Sequence, residues 1–197
     1  FQIKKESLKN TVYINFDGVY MNSEVFVNGH LLGKRPYGYI SFRYDISKYL
    51  KEGQNTLSVR VDNSLEPSAR WYHPCGIYAP VNLVEVNPLH ISPNGIFITT
   101  PKITSDYATV NAELKLTATT PFAKNTRIKS IVLSPKGDVL QTASVPAIDE
   151  NTKFNLKMDV KNPLLWSPET PTLYTLVSQI MIGDKVIDEV KTNFGLR

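Results

Sequence analysis

The stretch Phe154-Asn155-Leu156-Lys157-Met158-Asp159-Val160 places an apolar residue at every second position and a polar one between each pair. Successive side chains of a strand point to opposite sides of its pleat, so this period predicts a β-strand with one dry and one wet face. The same rhythm returns at Val12-Ile14-Phe16, Leu57-Val59-Val61, Val110-Ala112-Leu114-Leu116-Ala118 and Tyr174-Leu176-Ser178-Ile180. No long segment with helical spacing of apolar residues competes with it. The chain reads as all-β, and 42% hydrophobic with 20% charged residues is enough to fill a packed core.

Punctuation between the strands divides the chain. Asn28-Gly29 stands between the apolar runs around Val25-Val27 and Leu31-Leu32, the sequence of a tight hairpin whose central residues need positive φ. Turn chemistry accounts for that pair without a ligand. Asp45 to Leu50 reads as a single helical turn, and Gly183-Asp184 joins the last hairpin. Asn87-Pro88 is the expected boundary, since proline disfavours helix before it and restarts the chain extended. Residues 88–197 hold about six or seven short strands, as an immunoglobulin-like sandwich does. Residues 1–87 hold fewer than the roughly eight of a jelly roll, so that domain is expected to be truncated, its opening strands lying upstream of Phe1.

Charge and cysteine content exclude several classes. The net charge of +4 and pI of about 9.0 come without a dense run of Lys and Arg, so no nucleic-acid footprint is expected. Cys75 is the single cysteine, which rules out an intrachain disulfide and a cysteine-based zinc cluster. No apolar run is long enough for a membrane-spanning helix, and no leader pattern opens at Phe1. A periplasmic or secreted location follows only if a signal peptide precedes the segment; otherwise the location is cytoplasmic.

The search for catalytic chemistry is negative. His30, His73 and His90 are scattered, and His30 and His90 are expected at the surface, so no metal or cofactor is assigned. His73 and Cys75 are close in sequence, but nucleophilic catalysis needs an oriented pair with an oxyanion site, and Cys75 reads more simply as a packing residue. Asp17, Glu24, Asp45, Glu66, Asp149, Glu150, Asp188 and Glu189 fall at turns or on wet faces, with no pair marked for glycoside chemistry.

One loop remains. Arg70-Trp71-Tyr72-His73-Pro74-Cys75-Gly76-Ile77-Tyr78 gathers aromatic, imidazole and guanidinium groups around two backbone breakers. An aromatic face can cover the apolar side of a pyranose while Arg70 and His73 meet its hydroxyls. Alternatively, Trp71 and Tyr78 close the sandwich and Arg70 ties the loop down.

The order of fragments Phe16-Asp17-Gly18-Val19, Val27-Asn28-Gly29, Gly33, Phe42, Asp45-Ile46, Gly53-Gln54-Asn55 and Val59-Arg60-Val61-Asp62-Asn63, followed by that loop, resembles the sugar-binding domain of glycoside hydrolase family 2. Asn162-Pro163-Leu164-Leu165-Trp166-Ser167-Pro168 and the terminal Phe194-Gly195-Leu196-Arg197 are similar to the family's immunoglobulin-like domain. The resemblance implies that the catalytic glutamates belong to a TIM barrel following Arg197, so this chain would not hydrolyse a glycoside by itself. It implies that Arg70, Trp71, Tyr72 and His73 supply a rim of the sugar site. Asn28, Gly29, Asn63, Cys75, Gly76, Tyr78 and Trp166 take structural loop, core or interdomain roles. Ala79 departs from the family's loop, where an arginine is expected, and weakens the carry-over of its interdomain bracing.

Two functions follow. On the resemblance, the chain is expected to be a non-catalytic accessory portion of a β-glycosidase, β-galactosidase-like as the first choice, whose partners are the barrel and a β-linked glycan. The alternative is an autonomous carbohydrate-binding or adhesive module.

Overall fold

The computed structural model describes residues 1–64, 72–148 and 152–197. The chain divides into two compact units, Phe1–Asn87 and Pro88–Arg197. The architecture is all-β, a jelly-roll-like unit followed by an immunoglobulin-like sandwich.

The first unit contains β1 (Gln2–Ile3), β2 (Thr11–Phe16), β3 (Val19–Tyr20), β4 (Ser23–Val27), β5 (His30–Arg35), β6 (Phe42–Asp45), β7 (Gly53–Gln54), β8 (Leu57–Arg60), β9 (Gly76–Ile77) and β10 (Val81–Val86). They form sheets in the orders β10-β2-β6 and β5-β4-β8, with β1-β7 and β3-β9 as short ribbons. Alternation decides the faces: Val12, Ile14 and Phe16 of β2 and Val25 and Val27 of β4 are buried together with Val19, Phe42 and Ile46. The Phe16 and Phe42 rings stack with centroids 5.0 Å apart.

Local chemistry sets the corners. Asn28 and Gly29 adopt φ of 50° and 84°, the left-handed pair that a two-residue hairpin between β4 and β5 requires. The Asn28 side chain then joins three segments. Its Nδ2 donates to Tyr49 O and to Asn55 Oδ1, both at 2.8 Å, and its Oδ1 accepts from Thr56 N–H at 2.9 Å. Asp45 Oδ1 accepts from Ser47 N–H at 2.9 Å and opens the 3₁₀ turn Ser47–Tyr49.

The second unit contains β11 (Leu89–Ile103), β12 (Tyr107–Ala118), β13 (Thr126–Leu133), β14 (Val139–Pro146), β15 (Lys153–Lys161), β16 (Tyr174–Ile182) and β17 (Lys185–Phe194). Sheets β11-β12-β15 and β14-β13-β16-β17 enclose one core. Strand β15 alternates strictly, with Phe154, Leu156, Met158 and Val160 buried and the residues between them exposed. Ile91 N–H donates to Asp188 Oδ2 at 2.7 Å, linking β11 to β17.

The structure corrects the reading of His90. It is 1% exposed, inside β11, where Leu89, His90, Ile91 and Ser92 are all buried. Both faces of the strand are covered there, so the neighbouring proline and polar residues do not mark a surface. His30 is exposed and stacks on Tyr49, centroids 4.8 Å apart.

Candidate functional site: an aromatic face on the first unit

The turn after β2 sets the site. Asp17 N–H donates to Pro80 O at 3.0 Å and Tyr78 N–H to Gly18 O at 3.3 Å, while β3 pairs with β9 through Val19 opposite Ile77 and Tyr20 opposite Gly76. This short ladder holds residues 72–80 beside the β2–β3 corner. Gly18 is needed there because a Cβ would lie 2.4 Å from the Tyr78 ring. The Tyr78 hydroxyl crosses to donate to Gly38 O at 2.6 Å, which fixes the segment 36–41 against the same corner.

Five rings meet as a result. Tyr20 and His73 stack, with centroids 4.9 Å apart and planes 1° from parallel. Tyr39 meets the edge of Tyr20 at 5.3 Å and lies 5.9 Å from both Tyr37 and His73, and Tyr78 lies 6.4 Å from Tyr39. The Tyr39 hydroxyl also hydrogen-bonds His73 Nδ1. Desolvation, followed by the phenols of Tyr20, Tyr78 and Tyr37, holds the Tyr39 hydroxyl above the ordinary phenol pKa, so it keeps its proton. If Tyr39 donates to Nδ1, His73 retains Nε2–H as a second donor. Tyr37, Tyr39, Ile40, Tyr72, Ile77 and Tyr78 are all exposed, an apolar and aromatic surface punctuated by hydroxyls. Such a surface has the chemistry to stack on a sugar ring and hydrogen-bond its hydroxyls.

Of the residues singled out in the loop, Tyr72 is fully exposed and His73 is half-buried in the cluster. Arg70 and Trp71 lie outside the described residues. Cys75 is exposed rather than packed away, and Gly76 has φ of 99°. Asn63 is exposed beside Asp62, whose carboxylate accepts from Ser64 Oγ at 2.6 Å and Ser64 N–H at 3.1 Å. Those two bonds, the hydroxyl first, hold the Asp62 carboxyl below its usual range, with Arg60 and Lys34 adding to the effect. Trp166, in the second unit, is half-buried and lies outside the apolar core. Its backbone N–H donates to Leu196 O at 2.8 Å, its side chain approaches Gly195, and the Arg197 guanidinium lies 5.7 Å from its ring centroid.

The sequence does not single out Tyr20, Tyr37 or Tyr39 as site residues; the aromatic density of residues 37–44 is a signal for Tyr37 and Tyr39 alone. Two of the carboxylates are held in ion pairs: Glu24 pairs with Arg60 at 3.2 Å and Lys34 at 3.5 Å, and Glu189 with Lys191 at 3.6 Å. Glu66, Asp149 and Glu150 lie outside the described residues. Among the described residues no cluster of three His, Cys, Asp or Glu side chains could hold a metal, and no helix is long and apolar enough to cross a membrane. A cavity of about 720 Å³ in the second unit is lined chiefly by small, hydroxyl and apolar groups, Phe122, Ala147 and Ile148 among them, and carries no comparable chemistry.

The fold and this surface define a chain of two β-sandwiches with a sugar-compatible aromatic face and no catalytic barrel among the described residues. Comparison with known proteins gives the family. Residues 89–197 match the family described as glycosyl hydrolases family 2, and residues 1–87 match the glycosyl hydrolase 2 galactose-binding domain-like family. The chain belongs to glycosyl hydrolases family 2.

A Formosa agariphila protein named "Putative beta-glucuronidase" is 55% identical over the whole chain, and the β-galactosidase BoGH2A of Bacteroides ovatus is 40% identical. The chain covers 19% and 24% of those proteins. The crystal structure of a β-glycosidase from Bacteroides vulgatus superposes on all of the chain with a TM-score of 0.88 at 38% identity, the chain covering 25% of it. The chain thus corresponds to domains of much larger family 2 enzymes.

Proposed function

We propose that this chain is the non-catalytic accessory portion of a β-glycosidase, supporting a TIM-barrel domain of the same polypeptide and supplying one rim of its sugar site. A β-galactoside is the first choice of substrate, in line with the galactose-binding-like family match. The observation that carries the reading is the cluster of exposed Tyr37 and Tyr39 with half-buried His73, which follows Arg70, Trp71 and Tyr72 in sequence. A rim contact binds substrate and transition state alike, so it acts on KM and leaves kcat alone.

The test is the full-length enzyme with Tyr39→Ala and, separately, His73→Ala. Each is expected to raise KM about tenfold, equivalent to about 1.4 kcal/mol of binding, with kcat within about twofold of the parent. Unchanged KM in both variants would remove the rim role. Saturable sugar binding by the isolated chain, abolished by Trp71→Ala with folding intact, would instead favour the autonomous binding module.

A further inference from the structure

The outer face of the sheet β11-β12-β15 collects charge that the sequence disperses. Val110, Ala112 and Leu114 of β12 and Phe154, Leu156, Met158 and Val160 of β15 face the core, which leaves the alternate residues on the other side. The register sets Phe97 beside Glu113 and Asn155 in one rung and Thr99 beside Asn111 and Lys157 in the next. Lys102 lies beside Thr109 and Asp159 in a third, and Tyr107 beside Lys161 in the last. Lys115 and Lys153 face each other just ahead of the first rung. With rungs two residues apart and strands about 4.8 Å apart, the four rungs span a surface about 20 Å long and 10 Å wide.

Five lysines stand on this face against two carboxylates, so it has three positive charges in excess, where the whole chain has a net +4. All five lysines are exposed. Asp159 accepts from Thr109 Oγ1 at 2.6 Å, and among the described residues Lys102, Lys115, Lys157 and Lys161 form no ion pair. The Lys102 ammonium lies 5.0 Å from the Tyr107 ring centroid, and Lys161 stands opposite the same tyrosine, so cations from β11 and β15 flank one ring. Lysine on an edge strand deters pairing with another sheet, which accounts for Lys157 and Lys161. It does not account for Lys115 on the central β12, or for Phe97, 64% exposed on a polar face.

The spacing of the charges selects the ligand. Lys157 and Lys161 are four residues apart, about 13 Å along the strand, with Asp159 between them. Phosphates recur about every 3.4 Å along one strand of a DNA duplex, so a polyphosphate laid on this face would set anions against Asp159 and Glu113 as well as against lysines. A glycan with acid groups on spaced sugars sets its anions at the lysines and its neutral hydroxyls at the carboxylates, which accept from them. Phe97 offers an open ring to the apolar side of a pyranose, and Asn155 is an exposed amide in the same rung. One rung on, Asn111 Oδ1 is covered by its neighbours and accepts no hydrogen bond among the described residues, so a donor hydroxyl that reaches it relieves a cost.

We propose that the outer face of β11-β12-β15 is a second glycan site, and that its ligand is an acidic glycan with carboxylate or sulfate groups on spaced sugars. Phe97 stacks on a sugar ring, Lys157 and the pair Lys102 and Lys161 hold acid groups, and Asn111 and Asn155 meet hydroxyls. The site lies wholly in the second unit and does not rest on the rim role assigned to the first.

The test is lysine footprinting on the full-length parent protein, with acetylation by an amine-reactive reagent read by mass spectrometry. The probes are a β-linked oligouronate, an O-sulfated β-linked oligosaccharide, the same oligosaccharide without sulfate, and a single-stranded oligonucleotide of similar length. At low salt either acidic glycan is expected to slow acetylation of Lys102, Lys157 and Lys161 at least about threefold, an effect that fades as salt rises, while the neutral oligosaccharide leaves them unchanged. Lys136, in the turn before β14, serves as the unaffected control. The tighter of the two acidic probes names the acid group. Lys157→Gln combined with Lys161→Gln should weaken that probe about fivefold, read at Lys102, through the loss of two exposed charge contacts. Phe97→Ser should weaken it with both lysines intact. Equal protection by the neutral oligosaccharide, tighter binding of the oligonucleotide, or no protection by any probe overturns the proposal. So do lysines that are unreactive in the ligand-free protein, which would mean that the rest of the polypeptide covers this face.

Discussion

Replacing Gly38 by Ala adds one methyl group beneath the aromatic cluster at its most crowded point. A Cβ there would lie 2.3 Å from Tyr20 Cδ2, 3.0 Å from Cγ and 3.1 Å from the Tyr20 Cα. Gly38 is outside the left-handed region, so the backbone accepts alanine and the cost is steric alone. To restore ordinary contact the Tyr20 ring must shift by about 1 Å. It is hemmed in by His73, stacked at 4.9 Å, and by Tyr39, edge-on at 5.3 Å. Overpacking of this kind costs about 1–3 kcal/mol, and a lost ring pair adds about 0.5–1.5 kcal/mol. For a domain of this size each kcal/mol lowers Tm by roughly 4–8 °C, so the combined cost of about 1.5–4.5 kcal/mol should show in calorimetry as the first unit melting about 6–36 °C earlier. Proton NMR gives a second readout, because the shielding of the His73 ring by Tyr20 should diminish. An unchanged melting temperature together with unchanged His73 shifts would refute the argument that Gly38 is kept small to seat Tyr20.

Two further predictions concern the core and a surface carboxylate. Phe16→Ala removes a fully buried ring stacked on Phe42 and should cost about 3–5 kcal/mol in chemical denaturation; a loss below about 1 kcal/mol would mean that the pocket collapses freely. Ser64→Ala deletes the hydroxyl that donates to Asp62 Oδ1 at 2.6 Å, so the Asp62 midpoint followed by carboxyl carbon NMR should rise toward the ordinary carboxylate range. Because the folded pKa is depressed, this contribution to stability is present above the unfolded carboxylate pKa of about 3.9 and is lost as pH falls through the lower folded value. A midpoint that does not move would show that the hydroxyl is not what lowers it.

The strands of the second unit were legible because their faces are settled locally. In β15 the polar residues Asn155, Lys157 and Asp159 leave one orientation in which the apolar side meets a core. The Asn28-Gly29 hairpin was legible for a similar reason, since few residue pairs tolerate positive φ in succession. His90 was not. It sits in a buried run without alternation, and which strands are covered on both sides depends on where the rest of the chain passes.

The aromatic face marks the same division. Tyr37 and Tyr39 lie outside any strand, so the two-residue period could not sort them into core and surface. Their meeting with Tyr20, His73 and Tyr78 comes from the pairing of β3 with β9 and from the Tyr78 bond to Gly38, contacts between residues distant in sequence. By itself the sequence determined the β class, the family resemblance and the tight turns, because pleat geometry and φ preferences act over a few neighbouring residues. Only the tertiary structure decided which rings form a common surface and that His90 is buried. Those outcomes depend on how strands pair across the chain, and side-chain alternation does not specify the partner.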